Sequence, residues 1–412
     1  MGSKIRITNS TPNMKSAEAL TSDRFRTIIQ DSHLSFLIGA GTSAPFFEIL
    51  GNVEDALTLL QGNDDVVRLV RASVQGYFFE KVLLPNQRLL DGTDAEAKVL
   101  IKSYGRFIAT LNRILLRRRN TLLGKQANLF TTNVDMALEI ALDLLEIGFN
   151  DGFIGKIRPR LDLGEFNTLR FRQGTRFEYR SEIPTMNLFK LHGSAGWRPE
   201  GEEIGFDHQL QGVRDVDDAY RAAKTKLPAI NSAVNIDVEA LKAANADKSL
   251  DEHGETFATA YQMLQIVNPE KTKFASTVLN KTYYELIRRF ANEMEKENSV
   301  LVVHGFSFRD EHLRDLVIRA AATNPTLQVI VFCFDRAACA EIAALLPDEK
   351  VKNGNILLVQ PPEPAEQIKE RKITLDVLVE DYLNPVLDER PSEADHVIEL
   401  KLGGPIGEVE DA

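Results

Sequence analysis

His33-Leu34-Ser35-Phe36-Leu37-Ile38-Gly39-Ala40-Gly41-Thr42-Ser43-Ala44 is the stretch on which the fold turns. A short apolar run enters a glycine-rich turn without a break, the pattern of a buried strand that must change direction sharply. Three further segments repeat that grammar. Ala127 to Phe130 runs into Thr131-Thr132-Asn133-Val134-Asp135, Met186 to Leu191 stops at His192-Gly193-Ser194, and Ser299 to Val303 closes on His304-Gly305-Phe306-Ser307. Helical spacing of apolar residues fills the intervals: Val53 to Leu84, Ala95 to Arg119, Met136 to Ile147, Lys281 to Lys296, Leu313 to Ala322 and Arg336 to Leu346. Leu327 to Phe334 and Ile356 to Val359 read as two more strands, and Ile373 to Leu387 is compatible with a helix.

Buried strands alternating with helices predict an α/β fold, a Rossmann-like open parallel sheet that binds ligand at the carboxyl ends of its strands. Asp151 to Pro184 reads as irregular strands and loops. Phe206 to Thr256 is polar and Ala-rich, an inserted helical region. The expected layout is a nucleotide-binding core made of 1–50, 120–200 and 295–360. Helical insertions fall at 51–119 and 201–294, and a C-terminal extension at 361–412 has a Gly- and acid-rich stretch from Pro391.

The 412 residues are 43% hydrophobic and 26% charged, which excludes fibrous, disulfide-scaffold and wholly disordered classes. A net charge of −11 disfavours direct nucleic-acid binding by the surface as a whole. Arg117, Arg118 and Arg119 read as a solvated helix end. The two cysteines, Cys333 and Cys339, form no Cys-x-x-Cys pair, so a thiolate zinc ribbon is ruled out and no metal is expected. Cys333 lies in an apolar run and reads as inert core. No apolar run reaches the roughly 18 residues of a membrane span, and Met1 to Asn13 has no apolar signal core, so the expected location is the cytoplasm.

Each strand end carries candidate chemistry. Gly39-x-Gly41-x-x-Ala44 fits a turn whose glycines let the backbone approach a pyrophosphate near a helix N-terminus, although a tight strand-to-helix turn uses the same residues. Asn133 can hold a ribose hydroxyl or a water, and Asp135 beside it can accept from an amide; both also suit a helix cap. His192 is the side-chain type best able to take a proton near neutral pH, and equally a common structural group. Gly305, Phe306 and Ser307 suit a ribose or phosphate contact, Asp310 and His312 could orient loops, and Ser307 or Asp310 could cap the next helix.

Gly-x-Gly-x-Ser, Thr-x-Asn-x-Asp, Leu-His-Gly and Gly-Phe-Ser, in that order at four strand ends, resemble the sirtuin family, especially the sirtuin-like NAD hydrolases of bacterial antiphage defence. Asp151-Gly152-Phe153, Val267-Asn268-Pro269 and the run from Gly305 to His312 extend the resemblance over most of the chain. It implies that Gly39, Ala40, Gly41, Thr42 and Ser43 surround the pyrophosphate and nicotinamide ribose of NAD. Asn133 would hold the ribose and the attacking water, Asp135 would lie near the carboxamide, and His192 would be the general base. Gly305, Phe306 and Ser307 would contact the adenosine side, with Asp335 near its ribose.

The four-Cys zinc module of deacylating sirtuins is absent, and Ala44-Pro45-Phe46-Phe47 replaces the deacylases' Gly-Ile-Pro-Asp-Phe-Arg. The implied activity is therefore cleavage of NAD+ to nicotinamide and ADP-ribose in abortive infection. The implied partners are further copies of the chain and a HerA-type ATPase in trans. An NAD-dependent protein deacylase and a silent NAD- or ADP-ribose-binding scaffold are the alternatives.

Overall fold

Alternating apolar side chains along eight short segments feed two hydrophobic layers at once. In the computed structural model these segments are β1 (Ile5–Asn9), β2 (His33–Ile38), β3 (Gln126–Thr131), β4 (Phe149–Asn150), β5 (Thr185–Lys190), β6 (Ser299–His304), β7 (Gln328–Phe332) and β8 (Ile356–Gln360). They form one sheet in the order β1-β8-β7-β6-β2-β3-β5-β4, and every neighbouring pair is parallel. The structure describes residues 5–10, 20–49, 51–118, 122–176, 178–231, 236–267, 281–347, 349–363 and 371–387. Arg119, Asn268, Pro269 and the stretch from Pro391 lie outside them.

Because side chains alternate along a strand, Leu34, Phe36 and Ile38 face one layer while Leu37 faces the other. The first layer packs Leu129, Leu188, Val302 and Phe332 under helices Ser22–Gln30 and Ala95–Arg117. The second packs Phe130, Phe189, Val303 and Val331 against helices Lys281–Glu295, Glu311–Thr323 and Arg336–Leu345. Cover on both faces is what an all-parallel sheet requires. Among the described residues no helix is long and apolar enough to cross a membrane.

Packing redraws several sequence-based limits. Ala95–Arg117 and Lys281–Glu295, expected inside insertions, supply the sheet's own helical layers, because their buried faces include Phe107, Ile108, Leu286 and Phe290. Residues 371–387, expected in an extension, bury Leu375, Leu378, Tyr382 and Leu383 in the first layer. Val53 to Leu84 is two helices, Gly51–Leu59 and Asp65–Phe78, followed by one wide turn at Phe79–Leu83. Gly62 between them sits at φ +112°, a conformation no helix continues through. At the helix end Arg117 is exposed, as expected, and also donates to the Leu387 carbonyl, whereas Arg118 is half-buried and reaches the carbonyls of Ile29 (3.0 Å) and Ser32 (2.7 Å). Cys333 and Cys339 are both buried and form no disulfide.

The Phe206–Thr256 region contributes helices Gln211–Ala223, Val238–Ala244 and Glu252–Gln262. Val213, Tyr220, Phe257 and Tyr261 join Phe79 and Leu83 in a satellite core that also holds Val134, Met136 and Ala195. That satellite core therefore rests on the loops after β3 and β5.

Candidate active site

The chain runs from β2 to β3 on one side of the sheet and later returns to place β6 on the other side of β2. Such a reversal opens a crevice beyond the carboxyl ends of β2 and β6. Here the loops after the two strands meet at their glycines: Gly39 N donates to His304 O (3.0 Å) and Gly41 N to Gly305 O (2.9 Å). A Cβ on Gly39 would lie 2.4 Å from Gly305 O, and one on Gly305, at φ +67°, would lie 2.3 Å from Thr42 N. Neither position tolerates a side chain. The turn does not open directly into an α-helix, as the dinucleotide reading expects. Ala40–Thr42 is a single 3-10 turn, Pro45 follows, and the next α-helix begins at Gly51.

Ser43 collects a hydrogen-bond network whose directions are fixed by what each group can donate. Its Oγ lies 2.8 Å from Asp135 Oδ2, 3.1 Å from Asn133 Nδ2 and 2.9 Å from the Tyr104 hydroxyl. A carboxylate only accepts, so the single Ser43 proton goes to Asp135. Asn133 Nδ2 and Tyr104 OH then donate to the two Ser43 lone pairs. Burial, reinforced by the Asp135 charge, pushes the Tyr104 hydroxyl well above its usual range, which keeps it a donor. With its NH2 committed to Ser43, Asn133 directs Oδ1 elsewhere. That oxygen is buried and has no hydrogen-bond partner. An unsatisfied buried acceptor is costly, about 1–3 kcal/mol, and such an atom is explained when a ligand donor completes it.

Beneath this network Lys190, at the end of β5, donates to the Asp135 carbonyl and lies 3.2 Å from Glu139 in a buried ion pair. Burial raises the Glu139 carboxyl above its usual range, against the opposing charge of Lys190. Lys190 thereby ties the β3 loop to the β5 strand.

His192 and Asp310 close the site. His192 Nε2 lies 3.1 Å from Asp310 Oδ2, although β5 and β6 are separated by β2 and β3. Three strand spacings of about 4.8 Å amount to roughly 14 Å, so the pair bridges over the ends of the two strands between. Backbone bonds complete the circuit: Leu191 N to Thr131 O (2.8 Å), Ala195 N to Val134 O (2.8 Å) and the glycine contacts above. A carboxylate at this distance favours the neutral tautomer with the proton on Nε2, which would leave Nδ1 of His192 as the basic nitrogen. The His192 side chain is 18% exposed, buried enough to be oriented and open enough to be reached.

Of the residues singled out from sequence, Gly39, Ala40, Gly41, Thr42, Ser43, Asn133, Asp135, His192, Gly305 and Phe306 all stand around this circuit. Ser307 belongs to the same loop and is exposed. Asp335 stands at the end of β7 with both oxygens engaged. Ala338 N (2.7 Å) and Lys372 Nζ (2.8 Å) hold its carboxyl below the usual range, and it caps helix Arg336–Leu345. Sequence reasoning missed Tyr104 and Lys190. Tyr104 lies within the helical spacing of Ala95 to Arg119 and Lys190 within the strand Met186 to Leu191, where nothing local marks either as part of a site.

These elements define an α/β protein with a polar, partly buried site at the carboxyl edge of a parallel sheet. Neither the protein-family models nor the curated proteins include a match to this chain.

Proposed function

We propose that the chain is a sirtuin-like NAD+ hydrolase that breaks the nicotinamide–ribose bond and releases nicotinamide and ADP-ribose. The reading rests on the ordered strand-end motifs, and one observation carries it furthest: the buried, donor-less Oδ1 of Asn133 inside the circuit that His192 and Asp310 close. An acceptor fixed in that direction suits a ribose hydroxyl. Breaking the glycosidic bond develops positive charge on the sugar, and preorganised dipoles such as the Asn133 carbonyl oxygen stabilise it without reorganising. His192 Nδ1 takes the proton of a water or a ribose hydroxyl, and Asp310 balances the charge that appears on the ring. By the resemblance the Gly39–Ser43 turn receives the pyrophosphate, while Gly39 and Gly41 themselves pack against the backbone of the Gly305 loop. By the same resemblance the chain acts in antiphage defence as a homo-oligomer with a HerA-type ATPase.

Purified protein incubated with NAD+, alone and with such an ATPase, should release nicotinamide. Asn133→Ala and His192→Ala should each lower the rate at least about 100-fold while retaining the wild-type circular dichroism spectrum. Wild-type rates in both variants would overturn the residue assignment. Nicotinamide release that requires an acyl-lysine peptide would instead identify a deacylase, and NAD+ binding without turnover a scaffold.

A further inference from the structure

Phe171–Gln173 and Arg180–Glu182 form a two-stranded antiparallel ribbon that, among the described residues, pairs with no third strand. All its residues except Glu182 are exposed, whichever face they point from. A lone two-stranded hairpin is marginally stable in water, so this one needs cover. Its chemistry is set by arginine. Arg172, Arg176 and Arg180 are exposed along the ribbon, on a chain whose net charge is −11. Elsewhere exposed arginines such as Arg88, Arg160 and Arg288 are matched by carboxylates at 2.5, 2.9 and 2.6 Å. Charge alone would protect a free strand edge, but Leu169 and Phe171, each 52% exposed, add apolar surface to the same place.

The chain itself supplies a complementary segment. The last described residue, Leu387, accepts from Arg117 at the end of its helix. The adjacent Arg118 reaches Gly124 O (3.1 Å), and Lys125 N donates to Glu182 Oε1 (2.8 Å), the residue paired with Phe171 across the ribbon. Leu387 is thus linked to the foot of the ribbon through the segment that runs from Arg117 to Lys125. Residues 388–412 carry eight acidic residues against two basic ones. Within them His396-Val397-Ile398-Glu399-Leu400-Lys401-Leu402 alternates in the manner of a half-buried strand. The nine residues from Leu387 to His396 reach roughly 30 Å when extended. A ribbon of three-residue strands is only about 10 Å long.

We propose that the acidic segment 388–412 docks in cis on the arginine ribbon, with residues 396–402 adding to its free edge as a third strand. Main-chain hydrogen bonds would supply the register, and the arginines would select an acidic strand over others. The proposal is independent of the reaction at the carboxyl edge.

Hydrogen–deuterium exchange on the full chain at low salt tests it. Residues 396–402 should exchange about ten-fold or more slower than a free peptide of the same sequence. Arg172→Glu, Arg176→Glu and Arg180→Glu together should abolish that protection, and so should 1 M salt, at about 3 Å screening length. Reversing the segment instead, with Glu393→Lys, Asp395→Lys and Glu399→Lys, should abolish it in the wild-type background and restore it when combined with the reversed ribbon. Peptide-like exchange in the wild type, or protection indifferent to the ribbon variants, would overturn the proposal. Protection that disappears on dilution would assign the ribbon to a second copy and overturn it equally.

Discussion

Asp310 uses its two oxygens for different tasks. Oδ1 accepts from His312 N (3.1 Å) and Leu313 N (3.3 Å), capping helix Glu311–Thr323, while Oδ2 faces His192. Asparagine caps a helix about as well as aspartate but brings no negative charge, and its NH2 can turn towards the imidazole. Asp310→Asn should therefore leave the melting temperature near that of the wild type and lower kcat by about 10²–10⁴-fold. Calorimetry beside NAD+ turnover checks both halves, and a variant that melts early and works normally would reduce Asp310 to a cap. At this scale the sequence is partly legible. Gly39, Asn133 and His192 stand out because they follow recognisable strands. The bridge from Asp310 to His192 was not visible, since it depends on two loops meeting above strands that neither belongs to. Tyr104 was hidden for a similar reason: a hydroxyl on a helix declares nothing until the helix is docked.

Among the elements, β6 shows how one side chain can hold three segments together. His304, at its end, lies 2.8 Å from Thr42 Oγ1 through Nδ1 and 3.2 Å from Ile373 O through Nε2. A carbonyl only accepts, so Nε2 carries the proton and Nδ1 accepts from Thr42. The imidazole is fully enclosed, and burial lowers its pKa to about 4, against weaker raising contributions from the Ile373 and Thr374 backbone. A depressed pKa means that the unfolded chain binds this proton first. The neutral histidine costs nothing above pH 6.5, and stability drains away as pH falls from 6.5 towards 4. The difference of about 2.5 units corresponds to roughly 3 kcal/mol, fully lost below the folded value. His304→Gln, which keeps a donor for Ile373, should flatten the melting temperature between pH 6.5 and 4 relative to the wild type. Parallel pH profiles for the two proteins would contradict this. Element positions were the most legible part of the sequence, because the periods of 2 and 3.6 are local. The break at Gly62 is local too: the polar run Gln61-Gly62-Asn63-Asp64-Asp65 interrupts the apolar spacing that otherwise reads as one helix from Val53 to Leu84.

For the molecule as a whole, the parallel sheet and its two helical layers follow from alternation of strands and helices. The strand order does not, because no local signal says which strands are neighbours. β1 illustrates the gap. Ile5-Arg6-Ile7-Thr8-Asn9 reads as a polar start, yet Ile5 pairs with Ile356 and Asn9 with Gln360. Ser10 Oγ accepts a 2.9 Å hydrogen bond from the Tyr382 hydroxyl.

That pairing sets a schedule for biosynthesis. Among the described strands β1 has one neighbour in the sheet, β8, and Gln360 of β8 is made 351 residues after Asn9. At about 5–20 residues per second the first strand waits some 20–70 s without a template. In refolding followed by pulse-labelling, the amides of Arg6 to Asn9 should gain protection no earlier than those of β8, and after those of β2. Early protection of β1 would mean that it first docks somewhere it later leaves. The edge strand β1 thus gains its partner only when residues far along the chain have been made.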